Sequence, residues 1–560
     1  MCSWTGWNST PRASWTQSSA GPSKEAERRP DPAGRKPGAL RQPFDLIVVG
    51  AGINGVGIAR DAALRGLKVL LLEKNDLSSG TTWTSTRLIH GGLRYLEYAE
   101  VHLVRESLRE REILLRLAPH LVKPLPLLIP IYSDDRRGPA LVRAGMLAYD
   151  LLSFDKSLEH HRMLGCETTL QRAPGLRAEG LRGAALYYDA QVEYPERLVV
   201  ENALSAVRAG AQLSTYCQVD EILIRDRRVQ GVRCTDRTTG TQSEFQAPVV
   251  VNVTGPWVDQ LLGGVEDGPL MGGTKGSHIV VAPFPGAPED ALYAEAGEDH
   301  RPFFIVPWND LYLVGTTDIR YEGALDHVRA DRAEVEYLLR EANRLLPSAS
   351  LGADAVLYTY SGIRPLPRAS GPEAGITRRH VIKHHVPRAD GLYSIIGGKL
   401  TTYRNLARQT VDRICRRLGR PGQCVTGVAP LPGATNEDLA PRPFAERFEL
   451  ESLTAHHLLR VYGRRAYRLM SMADNDPKLR EVICPHTGAI AAEVLLALEE
   501  EMAHSLADVL LRRTMIGLGP DQGRKAAPRA AALAARHRGW DQERTRRELD
   551  SYFRCLAGLS

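Results

Sequence analysis

Four residues have the types and spacing to hold a dinucleotide: Gly50, Gly52, Gly55 and Glu73. Between a strand and a helix, the first glycine allows the tight turn and the second lets the backbone approach a pyrophosphate. The third lets helix and strand pack closely. The helix N-terminus then faces the phosphates. Glu73 stands 23 residues after Gly50, where a carboxylate accepts hydrogen bonds from ribose hydroxyls. The glycines alone leave NAD and FAD open. The loop Leu77-Ser78-Ser79-Gly80-Thr81-Thr82-Trp83-Thr84-Ser85-Thr86 favours FAD, since Ser79, Thr81 and Thr82 offer hydroxyls to a second phosphate and a flavin edge. A second glycine element, Gly397-Gly398-Lys399-Leu400-Thr401-Thr402, comes late in the chain.

Gly50-Ala51-Gly52-Ile53-Asn54-Gly55, followed by Arg87-Leu88-Ile89-His90-Gly91-Gly92-Leu93-Arg94-Tyr95-Leu96-Glu97, resembles the FAD-dependent glycerol-3-phosphate dehydrogenase family. The resemblance continues at Tyr188–Val192, Asn252–Asp259, Thr274–Ile279, Pro307-Trp308, Val314–Asp318, Ser361–Leu366 and Ile396–Arg404, and covers about residues 44–555. It implies an α/β fold in which a Rossmann-like FAD-binding domain is interleaved with a β-rich substrate domain over 43–435. An all-helical C-terminal domain follows over 440–560. It also implies FAD contacts from Gly50, Gly52, Gly55, Glu73, Ser79, Thr81, Thr82, Gly255, Gly398, Lys399, Leu400 and Thr401. The implied reaction oxidises sn-glycerol 3-phosphate to dihydroxyacetone phosphate, with hydride passing to FAD and electrons to a quinone. Its alternatives are an oxidase of the same family that uses oxygen and a non-catalytic flavin-binding regulatory protein.

The implied substrate carries a phosphate dianion beside the carbon that loses hydride. Arg supplies a planar bidentate fork for phosphate, and the family motifs offer Arg364 and Arg378 for it, with Arg94 and Lys399 beside the hydroxyls and the flavin. Oxidation also needs a base for the hydroxyl proton, and histidine is poised for that near neutral pH. His90 and His278 are the candidates. In similar enzymes the late glycine turn precedes a helix whose positive N-terminus faces the flavin pyrimidine. The chain departs from the serine-rich pattern of similar bacterial enzymes at Thr82-Trp83-Thr84. It has no EF-hand loop, so the calcium control of some mitochondrial members is not expected.

These residues need elements to place them. Phe44–Val49 reads as a buried strand, and Val56, Ala59, Ala62 and Ala63 repeat at helical spacing until Gly66. Leu67–Leu72 is a second strand, which completes one βαβ unit. Val101–Leu117 reads as a surface helix, and the stretch from Ala211 to Val253 as a β-meander. Further strands are predicted at Ser277–Ala282, Phe303–Val306, Leu311–Thr316 and Leu392–Ile396. Pro430–Pro443 reads as a linker. Beyond it Leu495, Leu496, Leu498, Met502, Leu506, Val509 and Leu510 keep a helical period. Residues 1–42 lack apolar period and a secretory hydrophobic stretch, and read as a disordered tail outside the fold.

A length of 560 residues exceeds what one core usually spans. With 43% hydrophobic and 25% charged residues, a fibrous or disordered chain is excluded. A formal charge of +6 is small for this length and argues against nucleic acid as a partner. Eight cysteines without a CxxC pair point away from a disulfide scaffold and a metal site, and towards a reducing compartment. His160-His161 and His384-His385 read as solvated surface. The longest apolar run, Leu121–Tyr132, is 12 residues with three prolines, too short to span a bilayer. The expected location is therefore the cytoplasm, with peripheral attachment to the inner face of the cell membrane. The mild excess of Lys and Arg, at Arg136-Arg137, Arg143 and Arg416-Arg417, would contribute to it. A homodimer is compatible with the sequence.

Overall fold

The computed structural model describes residues 43–369, 376–435 and 439–559. The expected tail (1–42) and the middle of the expected linker (436–438) lie outside the described residues. The βαβ unit is Leu46–Val49, the helix Ile53–Leu64, and Val69–Leu72. Its strands sit inside a six-stranded sheet ordered Val381–His384, Leu392–Ile396, Val250–Asn252, Leu46–Val49, Val69–Leu72, Gln212–Ser214. All neighbours are parallel except the first pair. The strands are apolar on both faces because both are covered. Leu46, Val48, Val69 and Leu71 pack towards the helices Ile53–Leu64, Pro195–Arg208 and Tyr403–Leu418. Ile47, Val49, Leu70 and Leu72 pack towards the antiparallel strands Cys217–Arg225 and Arg228–Asp236, which continue into Gln242–Gln246.

Only the middle of 211–253 is therefore a meander. Gln212–Ser214 and Val250–Asn252 join the parallel sheet instead, since a period of two cannot say which sheet receives a strand.

The chain leaves the parallel sheet to build a second, ten-stranded one. Its centre is the long antiparallel pair Val122–Tyr132 and Leu181–Val192. The apolar run with three prolines is thus a sheet strand. Thr274–Val281 pairs on one side with Val356–Arg364 and on the other with Leu311–Gly315. The helix Arg332–Leu345, opened by a capping box at Asp331 and Glu334, covers one face with Leu338, Leu339, Ala342 and Leu345. No helix of the described residues is long and apolar enough to cross a membrane.

From Pro441 to Ala557 the chain is helical apart from the small hairpin Val482–Cys484 and Ala489–Ile490. The periodic leucines after 495 belong to two helices, Ala491–Glu499 and Leu506–Arg512. The break falls where Met502 takes a φ of +58° and Ser505 caps the second helix. Leu431 in the expected linker is buried. The histidine pairs are not simply solvated. His385 is buried between Glu266 (2.6 Å) and Ser394 (2.8 Å), and His161 shares Asp150 with Lys156 and with the exposed His160.

Candidate active site

A cavity of about 430 Å³ opens along the C-terminal edge of the parallel sheet, where such sheets bind ligands. Its wall includes Gly50, Gly52, Glu73, Ser79, Thr81, Thr82 and Gly255, together with Gly398, Lys399 and Leu400. Gly50 has a φ of +110°, and a Cβ there would meet the Val253 carbonyl at 2.8 Å. A Cβ on Gly52 would meet only Thr82 Oγ1, at 3.2 Å, so its backbone faces open space. Gly55 is not on the wall. Its Cβ would stand 1.8 Å from the Gly50 carbonyl, which fixes its part as close packing of helix on turn.

The Ile53 N–H at the helix start donates to Thr82 Oγ1 (3.1 Å), so the hydroxyl loop is tied to the glycine turn. Glu73 accepts from the Ala51 and Asn75 N–H groups (2.8 and 2.9 Å), and burial pushes its carboxyl up against those bonds. Asn54 Oδ1 and Trp257 Nε1 are buried at this wall without a partner, an acceptor and a donor left for a ligand. Phosphate-facing glycines, a carboxylate at the strand end and unpaired polar atoms make a donor set that fits FAD.

Lys399 joins this groove to a second group of charges. Gly397 and Gly398 turn with φ of +78° and +102°. Lys399 then places its ammonium 3.0 Å from Ser107 Oγ and 4.4 Å from the centre of the Tyr95 ring. Burial lowers its pKa to about 7, against the pull of Asp189, Glu106 and Glu100. Burial also raises the Tyr95 hydroxyl, while Arg378, Arg94 and Arg364 act on it in the opposite sense. Arg364 and Arg378 share one carboxylate, Asp318, at 2.9 and 3.0 Å. Desolvation works to raise that carboxyl, and the two guanidiniums hold it below its ordinary value. Arg364 is otherwise committed to the protein, giving NH2 to Thr316 Oγ1 and the Thr317 carbonyl, both at 3.0 Å. Arg378 keeps NH1 buried and unpaired. Arg94 sits 5.9 Å from the Tyr98 ring and also lines a separate apolar cavity.

The two histidines differ. His278 is buried, hydrogen-bonded through Nε2 to the Thr86 hydroxyl (3.0 Å) and packed 4.9 Å from the Tyr360 ring. His90 is half-buried, and its ring has no hydrogen-bond partner among the described residues. Desolvation lowers both to about 3, helped by Lys399 and Arg111 at His90 and by Arg364 and Arg87 at His278. Both are therefore neutral at pH 7. The segment after His90 is pinned from below. Asp189 accepts from Arg111 (2.6 Å), Tyr149 OH and the Gly91 N–H, and a Cβ on Gly91 would strike Tyr149 OH at 2.3 Å. Thr401 is not on the groove wall. Its hydroxyl bonds the His90 backbone.

Sequence reasoning missed Asp318, Tyr95, Ser107, Arg111 and Asp189 as participants. Asp189 and Asp318 lay within quoted motifs, but their partners are far away in the chain. Val101–Leu117 was expected as a surface helix, yet it buries Ser107, Glu110 and Arg111. A run of charges hides this, because those charges are paired inside.

A family model described as FAD dependent oxidoreductase matches residues 45–420. Another, described as the C-terminal domain of alpha-glycerophosphate oxidase, matches 424–545. A glycerol-3-phosphate dehydrogenase of Synechocystis sp. is 47% identical over 528 residues, 91% of this chain and 95% of that protein. A D-erythritol 1-phosphate dehydrogenase of Brucella abortus is 37% identical over 499 residues, 86% of this chain and 96% of that protein. Among solved structures, glycerol-3-phosphate dehydrogenase from Bacillus halodurans complexed with FAD superposes with a TM-score of 0.74 at 28% identity. That match covers 92% of this chain and 95% of the other.

Proposed function

The chain belongs to the FAD-dependent oxidoreductase family, and on that premise we propose that it oxidises sn-glycerol 3-phosphate to dihydroxyacetone phosphate with bound FAD, passing electrons to a quinone. The observation that carries this reading is Lys399, which lines the dinucleotide groove and also packs on Tyr95 beside the Arg364–Asp318–Arg378 group. A substrate with an anionic end and a reacting end needs that junction. FAD, when bound, supplies the acceptor for the hydride that leaves C2. The chain's own residues do the rest.

Gly50, Gly52 and Glu73 would hold the adenosine and pyrophosphate part of FAD, and Gly398 to Leu400 would border its flavin part. The unpaired NH1 of Arg378 takes a phosphate oxygen. Arg364 acts through Asp318, setting the angle of Arg378. Lys399, when protonated, adds charge near the substrate oxygens. Of the two histidines His90 is the one free to take the hydroxyl proton, because His278 is tied to Thr86 and holds the hydroxyl loop. Desolvation nonetheless lowers His90 to about 3, well below the near-neutral value expected of the base. We assign 43–435 to the interleaved FAD and substrate domains and 440–560 to the helical domain.

The quinone reading is supported by relatives named as dehydrogenases, and no CxxC pair or iron–sulfur spacing appears in the sequence. Reduced cofactor must then meet its oxidant directly. Peripheral membrane contact is supported by the helix Pro139–Leu152. Leu141, Leu147 and Leu151 on it, and Phe154 just after it, are 61%, 56%, 74% and 75% exposed. Arg136 and Arg143 beside them are exposed too.

Anaerobic addition of glycerol 3-phosphate to the purified flavoprotein tests the assignment. The oxidised flavin band should bleach with about one equivalent and return on adding a soluble quinone. D-erythritol 1-phosphate, the substrate named for the Brucella relative, should bleach it more slowly. Bleaching by that ester alone would remove glycerol 3-phosphate as the substrate.

A further inference from the structure

One thiol on the wall of the dinucleotide groove and a second buried behind it are not used by the proposed oxidation. Cys217 opens the strand Cys217–Arg225, and Cys234 lies in its antiparallel neighbour Arg228–Asp236. The register pairs Cys217 with Asp236 and Val219 with Cys234, so the two cysteines are diagonal neighbours. Their sulfurs are 3.1 Å apart. Both belong to the apolar cluster beneath the parallel sheet, and Cys234 is almost fully buried. Cys217 lines the groove beside Gln218, Asn75 and Glu73, and its N–H donates to the Glu73 carbonyl at 2.8 Å. Of the seven described cysteines, these two alone hydrogen-bond each other.

We propose that Cys217 and Cys234 form a peroxide-sensitive dithiol that closes to a reversible disulfide when the adenosine end of the groove is empty, and that bound FAD shields it. This rests on reading the groove as the FAD site. A disulfide bond is about 2.05 Å long, so the sulfurs need to move together by only about 1 Å. Cys217, the one of the pair that lines the groove and the more exposed of the two, meets the oxidant first. Cys217 donates to the Cys234 sulfur and Cys234 to the Ser243 carbonyl. The contact between the two thiols holds Cys217 below the ordinary thiol value, and the same contact, with burial, raises Cys234. A lowered pKa favours the nucleophilic thiolate.

The chemistry balances with hydrogen peroxide as oxidant. The Cys217 sulfur attacks one peroxide oxygen, the O–O bond breaks, and a sulfenic acid and one water result. The Cys234 sulfur then attacks the Cys217 sulfur. The S–S bond forms as the S–O bond breaks, and hydroxide leaves with the Cys234 proton as a second water. Two thiols lose two electrons, and one peroxide becomes two waters. A dithiol reductant reverses the bridge.

The test exposes the holoenzyme and the flavin-stripped full chain to dilute hydrogen peroxide, followed by alkylation and peptide mass mapping. The stripped chain should yield a Cys217–Cys234 cross-linked peptide lighter by two hydrogens, lost on treatment with dithiothreitol. The holoenzyme should keep both thiols free. Cys234→Ser should bind FAD like the parent and stop at a sulfenic acid on Cys217, trapped by dimedone. If neither form yields the cross-link, the dithiol proposal fails, while normal flavin content in the holoenzyme leaves the groove reading intact. Equal cross-linking with and without bound flavin overturns the shielding.

Discussion

Arg364 and Arg378 reach the same carboxylate, but Arg364 spends both terminal nitrogens on protein acceptors, whereas Arg378 spends one. NH1 of Arg378 is buried and unpaired, whereas Arg364 is tied to Asp318, Thr316 and Thr317. Sequence motifs rank Arg364 as well as Arg378 for phosphate; the hydrogen bonds separate them. Arg378→Met should retain flavin and lose about 1.5–3 kcal/mol of transition-state binding, roughly ten- to a hundredfold in kcat/KM. Arg364→Lys should lower the melting temperature as well as turnover, because a point charge cannot replace a fork that bridges two strands and a loop. A variant of Arg378 with unchanged kcat/KM would remove it from the phosphate site. Lys399 gives a pH signature. Burial depresses it to about 7, so it sheds its charge as pH rises through that value, and a bound dianion moves the transition upward. KM for glycerol 3-phosphate should rise with pH above about 7 in the parent. In Lys399→Arg, which stays charged, the KM curve should be flat. A rise of equal size in both would exclude Lys399 as the titrating group.

At the scale of elements, the two glycines flanking the first turn of the helix Ile53–Leu64 serve different purposes. Gly52 faces the cavity, and Gly55 faces the Gly50 carbonyl. Gly52→Val should therefore fold, with a melting temperature close to that of flavin-stripped parent, but without FAD. Gly55→Ala should yield little folded protein, because a Cβ 1.8 Å from a carbonyl has no flexible neighbour to push aside. Flavin-replete Gly52→Val would refute this reading of the turn. The contrast also shows what a sequence can reveal. Strand, glycine turn, helix, strand and terminal acid are local, so Leu46–Leu72 and Glu73 were legible from period and spacing. The helix Val101–Leu117 was legible in extent but not in role. Its buried Arg111 and Glu110 are neutralised by Asp189 and Arg404, 78 and 294 residues away. Likewise the sharing of Asp318 requires that the strand ending at Arg364 lie against Thr274–Val281. Pairings of that range leave no local trace in one chain.

At the scale of the whole molecule, the question is how electrons leave a protein without an internal relay. The structure narrows the basic surface proposed from sequence. Arg137 is paired with Glu97 and Glu295, and Arg417 with Asp390. Arg136 and Arg143 remain beside the exposed leucines of the helix Pro139–Leu152, whose opposite face is anchored by Val142, Met146 and Tyr149. Sitting on an anionic bilayer, two such arginines contribute about 1 kcal/mol each, and partial embedding of Leu147 and Leu151 about 1 kcal/mol each again. Each half of that attraction amounts to more than tenfold in partitioning. The protein should therefore bind anionic vesicles weakly, with binding that fades as salt screens the arginine share. The double variant Leu147→Glu, Leu151→Glu should cut vesicle binding more than tenfold. It should leave flavin content and reduction of a water-soluble quinone unchanged, because both side chains point away from the core. Turnover with a long-chain quinone held in vesicles should then fall with binding. If the variant loses vesicle binding but keeps full turnover with the embedded quinone, this face is not the route to the acceptor. Stoichiometric peroxide in air, with no gain from any quinone, would instead identify the enzyme as an oxidase.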